Sequence, residues 1–320
     1  MRFLIITHVV HIKKEREYYA YAPYVYEMNL WLKYVNQVFI VAPLKNSLVK
    51  ELDINYQHNN LIFYKIPTLT FTSSFKTIIS IIRIPLILFN IYKACKQADH
   101  IHLRCPGNIG LLGCLVQIFF PSKIKTAKYA GNWDPKAKQP LSYKLQKWIL
   151  SNTFLTKNMQ VLVYGHWKNQ SKNIKPFFTA TYYKSEIEPL VERDYSGILN
   201  FVFVGTLVEG KRPLLAIQII EALHHRGYSV SLDLYGDGQL RGLLQGYINK
   251  KRLYKIIQLK GNQPKDYVKQ AYKKAHFSIL PSKSEGWPKA IAESMFFGAI
   301  PMATAISCVP FMLDLSLIHI

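Results

Sequence analysis

The sequence predicts an α/β protein with two doubly wound domains, each built on a mostly parallel sheet. Three observations predict it. Short apolar runs alternate with helix-length segments along most of the chain. The runs are nearly continuous in apolar residues, as in strands that are covered on both faces of a sheet. Hydrophobic residues make up 49% and charged residues 19% of the 320 residues, which is enough for two ordinary cores.

The first domain is predicted to span residues 1–190. Its strands are predicted at 2–7, 37–42, 61–66, 100–105, 125–130, 160–164 and 178–183, and its helices at 22–36, 74–98 and 141–151. Apolar segments at 77–92 and 109–120 come nearest to membrane spans. The first is interrupted by Arg83 and Pro85 and the second is too short, so no transmembrane helix is predicted.

The second domain is predicted to span residues 191–320. Its strands are predicted at 200–205, 230–236, 256–261, 277–282 and 299–304, and its helices at 213–226, 264–275 and 288–297. The polar, acid-rich stretch 184–197 is interpreted as the linker between the two domains.

The chain is strongly basic, with a formal net charge of +22. Residues 123–184 hold 12 basic residues and one acid, Asp134. This segment is either an ordinary solvated surface or a surface for anionic lipid or a phosphate-bearing acceptor. The four cysteines, at 95, 105, 114 and 308, are too scattered for a disulfide scaffold or a zinc module. Since no secretory signal is visible, we expect a cytoplasmic protein, with peripheral attachment to the inner face of the plasma membrane as an open alternative.

The most informative segment is 281–301, where Glu285 and Glu293 frame the start of a predicted helix. Glu285 should lie in the preceding loop and Glu293 about one and a half turns inside. Gly286 and Trp287 should then present backbone N–H groups at a helix N-terminus, which favours an anion. Carboxylates accept hydrogen bonds from diols, so a sugar–phosphate–ribose ligand fits. A solvated helix that carries two glutamates is the alternative.

Together with FVGTLVEGKRP (203–213) and LYGDGQLR (234–241), this segment resembles the donor-binding domain of retaining glycosyltransferases of family 4, which have the GT-B fold. The resemblance implies that Glu285 binds hydroxyls of the transferred sugar at the reaction centre and that Glu293 binds the ribose. The residues it places against the donor sugar and diphosphate are Ser282, Gly286, Trp287 and Pro288.

The resemblance also implies a cation for the departing diphosphate. Lys211 stands at the family's lysine position, and a fixed ammonium there would stabilise charge that grows in the transition state. Thr206 stands where the family usually has arginine, so Arg212 is a candidate for part of that charge. Gly205, Gly236 and Gly238 are candidate donor-binding residues, with an ordinary strand-to-helix turn as the alternative for the last two.

Two loops of the first domain are candidates for the acceptor side. Asn132, Trp133 and Asp134 follow a predicted strand, and they combine hydrogen-bonding groups with a flat ring that could meet a sugar. His11 lies in an aromatic, basic loop after the first strand. In both loops a purely structural role is the competing interpretation. His8 and His11 lack a third ligand, so no metal site is predicted.

The resemblance therefore implies a metal-independent hexosyltransferase of class EC 2.4 that uses a UDP- or GDP-linked sugar, with no other cofactor. The acceptor would be a glycan or a lipid-linked acceptor, and the pathway cell-surface polysaccharide synthesis. The resemblance implies retention by a front-face mechanism. One alternative is a nucleotide-sugar-binding GT-B protein with other chemistry or none. Another is a basic nucleic-acid-binding protein, although no recognisable nucleic-acid motif accompanies the charge.

The chain ends 27 residues after Glu293, whereas the resembling family continues with further strands and helices. The sequence therefore predicts an incomplete second domain, and a fragment 1–320 that is poorly soluble and inactive. The last residues, 314–320, resemble a translated sequencing adapter and are expected not to be native.

Overall fold

The computed structural model describes residues 1–50, 52–179, 182, 184–189 and 192–317. The chain divides into two compact units, Met1–Phe177 and Phe178–Ile320, each with its own core and sheet.

The division lies before the predicted boundary at residue 190, and the predicted linker packs on the second unit. The Glu188 carboxylate accepts a hydrogen bond from Lys269 Nζ at 2.8 Å and another from Lys273. Arg193 Nε donates to the backbone carbonyl of Ala275 at 2.8 Å. These contacts explain why a polar stretch, typical of a linker, belongs to the second unit instead.

The first unit is a mostly parallel sheet with helices on both faces. Its strands are β1 (Arg2–Ile6), β2 (His11–Lys14), β3 (Glu17–Tyr21), β4 (Gln37–Lys45), β5 (Asp53–Asn55), β6 (Leu61–Ile66), β7 (His100–Cys105), β8 (Ile124–Tyr129), β9 (Met159–Tyr164) and β10 (Ile174–Phe177). Its helices are α1 (Ala22–Leu32), α2 (Ser74–Gln97), α3 (Asn108–Val116) and α4 (Leu141–Ser151). The strand order is β10-β9-β8-β7-β1-β4-β2-β3-β5, and β6 also pairs with β4.

Two parts of the first unit differ from the sequence prediction. The described residues of the predicted strand 178–183, namely 178, 179 and 182, are not in a strand, and 180, 181 and 183 lie outside the described residues. The strand runs over Ile174–Phe177 instead, where the sheet edge tolerates Pro176 because its missing N–H is not needed for pairing there. The loop after β1 also contains an antiparallel hairpin, β2–β3.

The helices of the first unit form two layers. Buried residues of α2, α3 and α4 share one core with one face of the sheet, and α1 packs on the other face. Among the described residues, α2 is one helix that is long and apolar enough to cross a membrane by length and composition. The sequence predicted no such segment, because it treated Arg83 and Pro85 as interruptions, whereas the helix runs through both.

The basic segment 123–184 is only partly a solvated surface. Lys125 and Lys128 are each 1% exposed. Lys125 donates to the backbone carbonyl of Phe120 at 3.0 Å, and Lys128 pairs with Glu27 at 2.5 Å. Two of the charges that suggested a lipid-binding surface are therefore held inside the first unit.

His11 is buried in the core of the first unit, and this predicts acid sensitivity. Burial lowers the pKa of His11 from its ordinary 6.5 to about 4. The unfolded chain binds this proton more readily. The neutral His11 ring therefore contributes fully to the free energy of unfolding above about pH 6.5. This contribution is lost as the pH falls towards 4, which lowers the free energy of unfolding by about 3 kcal/mol. We expect His11→Gln to flatten the dependence of unfolding free energy on pH between 7 and 4.5 in urea titrations.

Tyr56→Phe provides the matched control for that prediction. It removes the hydroxyl that contacts His11 Nε2 at 2.8 Å but keeps the buried imidazole, so the pH dependence should persist. An unchanged pH dependence in His11→Gln would show that other groups dominate acid unfolding.

The second unit is also a parallel sheet with helices on both faces. Its strands are β11 (Leu199–Val204), β12 (Val230–Tyr235), β13 (Ile257–Gly261), β14 (Phe277–Leu280) and β15 (Ile300–Ala303), in the order β13-β12-β11-β14-β15. Its helices are α5 (Pro213–His225), α6 (Arg241–Lys250), α7 (Lys265–Lys274), α8 (Lys289–Phe296) and α9 (Val309–Leu317). The core packs α5, α6, α8 and α9 on one face and α7 on the other.

Candidate active site

The candidate site lies at the carboxyl edge of the sheet in the second unit, where ligands usually bind in parallel α/β sheets. The loops after β11 and β14 meet there, because the backbone N–H of Lys283 donates to the carbonyl of Gly210 at 2.8 Å. This contact joins two of the three segments that the sequence singled out.

Lys211 and Glu285 form an ion pair at the centre of this edge. Lys211 Nζ donates to Glu285 Oε1 at 2.6 Å, although 74 residues separate the two in sequence. The Glu285 side chain is 7% exposed and that of Lys211 is 29% exposed. A carboxylate is thus held inside the site while its ammonium partner still reaches solvent and any ligand that enters.

Residues that the sequence analysis missed hold Glu285 in place. The backbone N–H of Glu285 donates to Ser307 Oγ at 3.3 Å, and Cys308 Sγ donates to the carbonyl of Gly286 at 2.8 Å. Burial and the nearby Glu285 charge raise the pKa of the Cys308 thiol to about 12, so it is a neutral donor. No local pattern marks these two residues, because they come from the loop after β15.

Two residues next to the ion pair have a left-handed backbone conformation: Arg212, which follows Lys211, and Ser307, which contacts Glu285. Arg212 and Ser307 each have φ of 52°, a left-handed conformation that non-glycine residues rarely adopt. Arg212 precedes Pro213, the first residue of α5, and is half-buried. Strain of this kind concentrates at functional sites, and here it flanks the candidate catalytic residues.

The start of α8 offers an anion-binding position beside Glu285. Pro288 is the N-cap, one residue earlier in the helix than the sequence predicted, and no side chain caps this end within the described residues. Ser282 is 1% exposed, and its Oγ has no hydrogen-bond partner in the described part of the chain. A buried hydroxyl without a partner beside an uncapped helix N-terminus is suited to a bound phosphate.

Trp287 is positioned by the beginning of the second unit. Its Nε1 donates to the carbonyl of Thr179 at 2.9 Å, and its ring lies 6.4 Å from that of Phe178. The indole therefore has a fixed orientation next to Gly286 and Pro288.

Glu293 lies inside α8, as predicted for the second glutamate of the pattern, and it is half-buried. Its Oε2 accepts a hydrogen bond from Tyr272 Oη at 3.4 Å, a contact that the sequence did not indicate. The carboxylate keeps unused lone pairs, so it can also accept hydrogen bonds from ligand hydroxyls.

Close backbone approach explains the two glycines after β12. A Cβ at Gly236, where φ is 132°, would lie 2.1 Å from the carbonyl oxygen of Gly205, and one at Gly238 would lie 2.6 Å from that of Leu207. Both glycines therefore pack the β11 and β12 loops together. A cavity of about 230 Å³ opens beside them, lined in part by Gly205, exposed Thr206 and Gly236.

The acceptor-side candidates of the first unit make contacts that agree with the competing, structural interpretation. Trp133 is 2% exposed, its ring contacts Tyr129 at 4.8 Å, and its Nε1 donates to Gln170 at 3.0 Å. Its faces are used by the core, so the predicted sugar contact is not supported. Asn132 and Asp134 are half-buried and form a local turn, in which the N–H of Asp134 donates to Asn132 Oδ1.

The His11 side chain likewise makes its contacts inside the first unit. It is fully buried, and its ring nitrogens contact the carbonyl of Val9 and the hydroxyl of Tyr56, each at 2.8 Å. Its aromatic and basic loop contains the β2–β3 hairpin, and the His11 ring packs against those of Tyr24, Tyr56 and Phe63.

A different cavity occupies the carboxyl edge of the first sheet. It has a volume of about 370 Å³, and its lining includes His8, Lys45, Thr70, Gly107 and Tyr143. It lies where the loops after β1 and β7 diverge to opposite sides, the usual binding position in such sheets. Within the described residues, no group of three or more His, Cys, Asp or Glu side chains could hold a metal ion.

Comparisons with known proteins find a family match in the second unit and similar folds among solved structures. Residues 195–313 match the family described as glycosyl transferases group 1, and this stretch contains Lys211, Glu285 and Glu293. A search of the curated proteins finds no match.

Solved structures resemble the chain over most of its length. The lipopolysaccharide outer core galactosyltransferase WaaB in its apo form has a TM-score of 0.67 at 16% identity, covering 98% of this chain and 83% of that one. HepE from Anabaena, in complex with UDP and glucose, has a TM-score of 0.64 at 12% identity with the same coverage.

TarM from S. aureus, solved as a mutant in complex with fondaparinux, alpha-GlcNAc-glycerol and UDP, has a TM-score of 0.53 at 17% identity. The match covers 72% of this chain, which spans 46% of the TarM chain. At these identities the likenesses show the fold alone: a mixed α/β chain with the Rossmann-like parallel sheets of GT-B glycosyltransferases.

Proposed function

We propose that this protein is a retaining glycosyltransferase that moves a hexose from a nucleotide-sugar donor to a glycan or lipid-linked acceptor. The observation that carries the proposal is the Lys211–Glu285 ion pair beside the uncapped start of α8. This constellation lies within the stretch that matches glycosyl transferases group 1.

The donor would lie along the carboxyl edge of the second sheet. Its diphosphate would meet the α8 N-terminus, Ser282 and Lys211, and its ribose would meet Glu293. Glu285 would accept hydrogen bonds from the sugar hydroxyls. The cavity beside Gly236 leaves room for the base.

The same geometry suits transfer without a metal ion. As the glycosidic bond breaks, negative charge grows on the departing phosphate oxygen, and the Lys211 ammonium stabilises it. In a front-face reaction that oxygen takes the proton of the acceptor hydroxyl, so no enzymic nucleophile is required. Arg212 would supplement the charge that the family draws from the arginine replaced here by Thr206.

UDP is the donor nucleotide to test first, and GDP the second. The structures of HepE and TarM that resemble this chain contain UDP. The acceptor would enter through the cavity of the first unit that His8 and Lys45 help to line. Synthesis of a cell-surface polysaccharide in the cytoplasm, at the inner face of the membrane, fits these partners.

Calorimetry and donor turnover test this function together. We expect UDP or GDP to bind, and release of the diphosphate from a panel of UDP- and GDP-sugars to accelerate when a lipid extract supplies the acceptor. Binding without turnover of any donor would favour a nucleotide-sugar-binding protein. Salt-sensitive binding to DNA that neither nucleotide changes would favour the nucleic-acid alternative.

Glu293→Ala tests the nucleotide side of the site. A charge-assisted hydrogen bond contributes about 1.5–3 kcal/mol, so we expect the diphosphate to bind roughly 10- to 100-fold more weakly by calorimetry. Tyr272→Phe is the control, because it removes the internal hydrogen bond and keeps the carboxylate. Unchanged affinity in a folded Glu293→Ala variant would remove Glu293 from the binding site.

A further inference from the structure

Helix α2 exposes an apolar surface on the side that faces away from the core. Ile87 and Ile91 on its inner side are fully buried. Seven large apolar side chains of the same helix are between 47% and 73% exposed: Phe75, Ile78, Ile81, Ile82, Leu86, Phe89 and Tyr92. Single exposed apolar side chains are ordinary, but a row along one helix marks an interaction surface.

The neighbouring helices continue this surface. Helices α2, α3 and α4 are adjacent members of one layer on the sheet, and the Tyr92 ring of α2 contacts Phe120, after α3, at 5.2 Å. The further exposed apolar side chains of this layer are Leu115, Phe119, Leu141, Leu145, Trp148 and Phe154. We call the outer side of this layer the α2–α4 face.

The charges on the three helices of the α2–α4 face are all basic. None of the three helices contains Asp or Glu, and residues 54–98 contain none either. The exposed basic residues on and beside these helices include Lys76, Arg83, Lys93, Lys96, Lys144 and Lys157. The exposed acid that follows α2, Asp99, is paired with Arg2 at 2.6 Å. An apolar surface surrounded by cations complements a layer with an apolar interior and anionic headgroups.

Two other occupants fit this face less well. Helix α2 cannot cross a bilayer, because β6 before it and β7 after it belong to the same sheet. A second copy of the chain would bring the same face onto itself in a twofold dimer and would oppose cations to cations.

We propose that the α2–α4 face docks this protein on an anionic lipid bilayer. Helix α2, about 36 Å long, lies in the plane of the membrane with Ile82 and Phe89 at the acyl boundary. Trp148 on α4 lies at the level of the lipid headgroups, where tryptophan is enriched in membrane proteins. The lysines contact anionic headgroups. This surface belongs to the first unit and the candidate active site to the second, so the inference does not rest on sugar transfer.

Vesicle flotation of the whole chain tests the proposal. The vesicles contain phosphatidylcholine alone or with about one third phosphatidylglycerol. We expect binding to the anionic vesicles that weakens, without vanishing, when salt is raised to about 0.5 M, because salt screens the lysines but not the apolar contact. Ile82→Glu combined with Phe89→Glu should lower the partition coefficient at least tenfold.

Leu243→Glu combined with Tyr254→Glu is the matched control. Both residues are 55% exposed and belong to the second unit, so the same added charge should leave binding unchanged. A Phe89→Trp variant adds a direct readout by comparison with the wild type, whose Trp148 already lies on this face. If the helix is inserted, bromine-labelled acyl chains should quench a larger part of the fluorescence in the variant than in the wild type.

Three results would overturn the proposal. They are equal binding to neutral and anionic vesicles, full binding by the Ile82→Glu, Phe89→Glu variant, and no binding at low salt. A wild-type dimer in light scattering that the same variant dissociates would assign the face to a second copy of the chain instead.

Discussion

Replacing Lys211 with methionine is expected to lower kcat by about 10²- to 10³-fold with the nucleotide-sugar donor. Methionine keeps most of the apolar length of the side chain and removes the ammonium that lies 2.6 Å from Glu285. If that ammonium meets charge that appears mainly in the transition state, kcat falls more than donor affinity. Steady-state rates of diphosphate release, with calorimetry of the diphosphate, measure both effects.

Lys251→Met is the control for this substitution. Lys251 also pairs with a glutamate, Glu221, at 3.0 Å, but it follows α6 and its side chain is 46% exposed. The control should retain normal turnover. Native kcat with only a raised KM in Lys211→Met would make Lys211 a ground-state binder.

A double-mutant cycle with Glu285→Gln separates two roles of Lys211. If Lys211 acts only by holding Glu285, its substitution should have little further effect once Glu285 is changed. If it meets the departing phosphate, a large loss should remain in the Glu285→Gln background.

The fold was largely predictable from the sequence, because the strands of both sheets are strongly apolar. The strand at Leu61–Ile66 and the helix at Leu141–Ser151 agree with the prediction to the residue. The β2–β3 hairpin was missed, since its strands are short and its exposed lysines and tyrosines give no buried-strand pattern.

The candidate site, like the fold, could be predicted from the sequence only in part. Glu285 and Glu293 belong to one short motif, so their placement around the start of α8 could be predicted. The contacts that hold Glu285, from Lys211 and Ser307, join segments far apart in sequence and become visible only in the folded chain. For Trp133 the sequence left two interpretations open, because a tryptophan in a loop suits a ligand and a core equally well by sequence alone, and its burial agrees with the structural one.

The interior of the first unit contains an ion pair whose disruption should be costly. Lys128 is 1% exposed and pairs with Glu27 at 2.5 Å, while Arg104 contacts the same carboxylate at 3.3 Å. The ammonium also lies 4.4 Å from the centre of the Phe177 ring. Lys128 and Arg104 lie near the carboxyl ends of β8 and β7, so the pair braces the edge proposed to receive the acceptor.

Glu27→Gln is therefore expected to destabilise the first unit by about 3–5 kcal/mol, because it leaves a buried ammonium without its anion. Lys128→Met should cost less, since Glu27 keeps Arg104 as a partner. Combining the two substitutions should recover much of the loss, because an apolar side chain then replaces the ammonium that has lost the Glu27 carboxylate. Urea unfolding of the full chain measures all three, with Glu17→Gln on the exposed side of β3 as a control that should unfold like the wild type. A double variant no more stable than Glu27→Gln would mean that the carboxylate stabilises this unit through Arg104 rather than by neutralising Lys128.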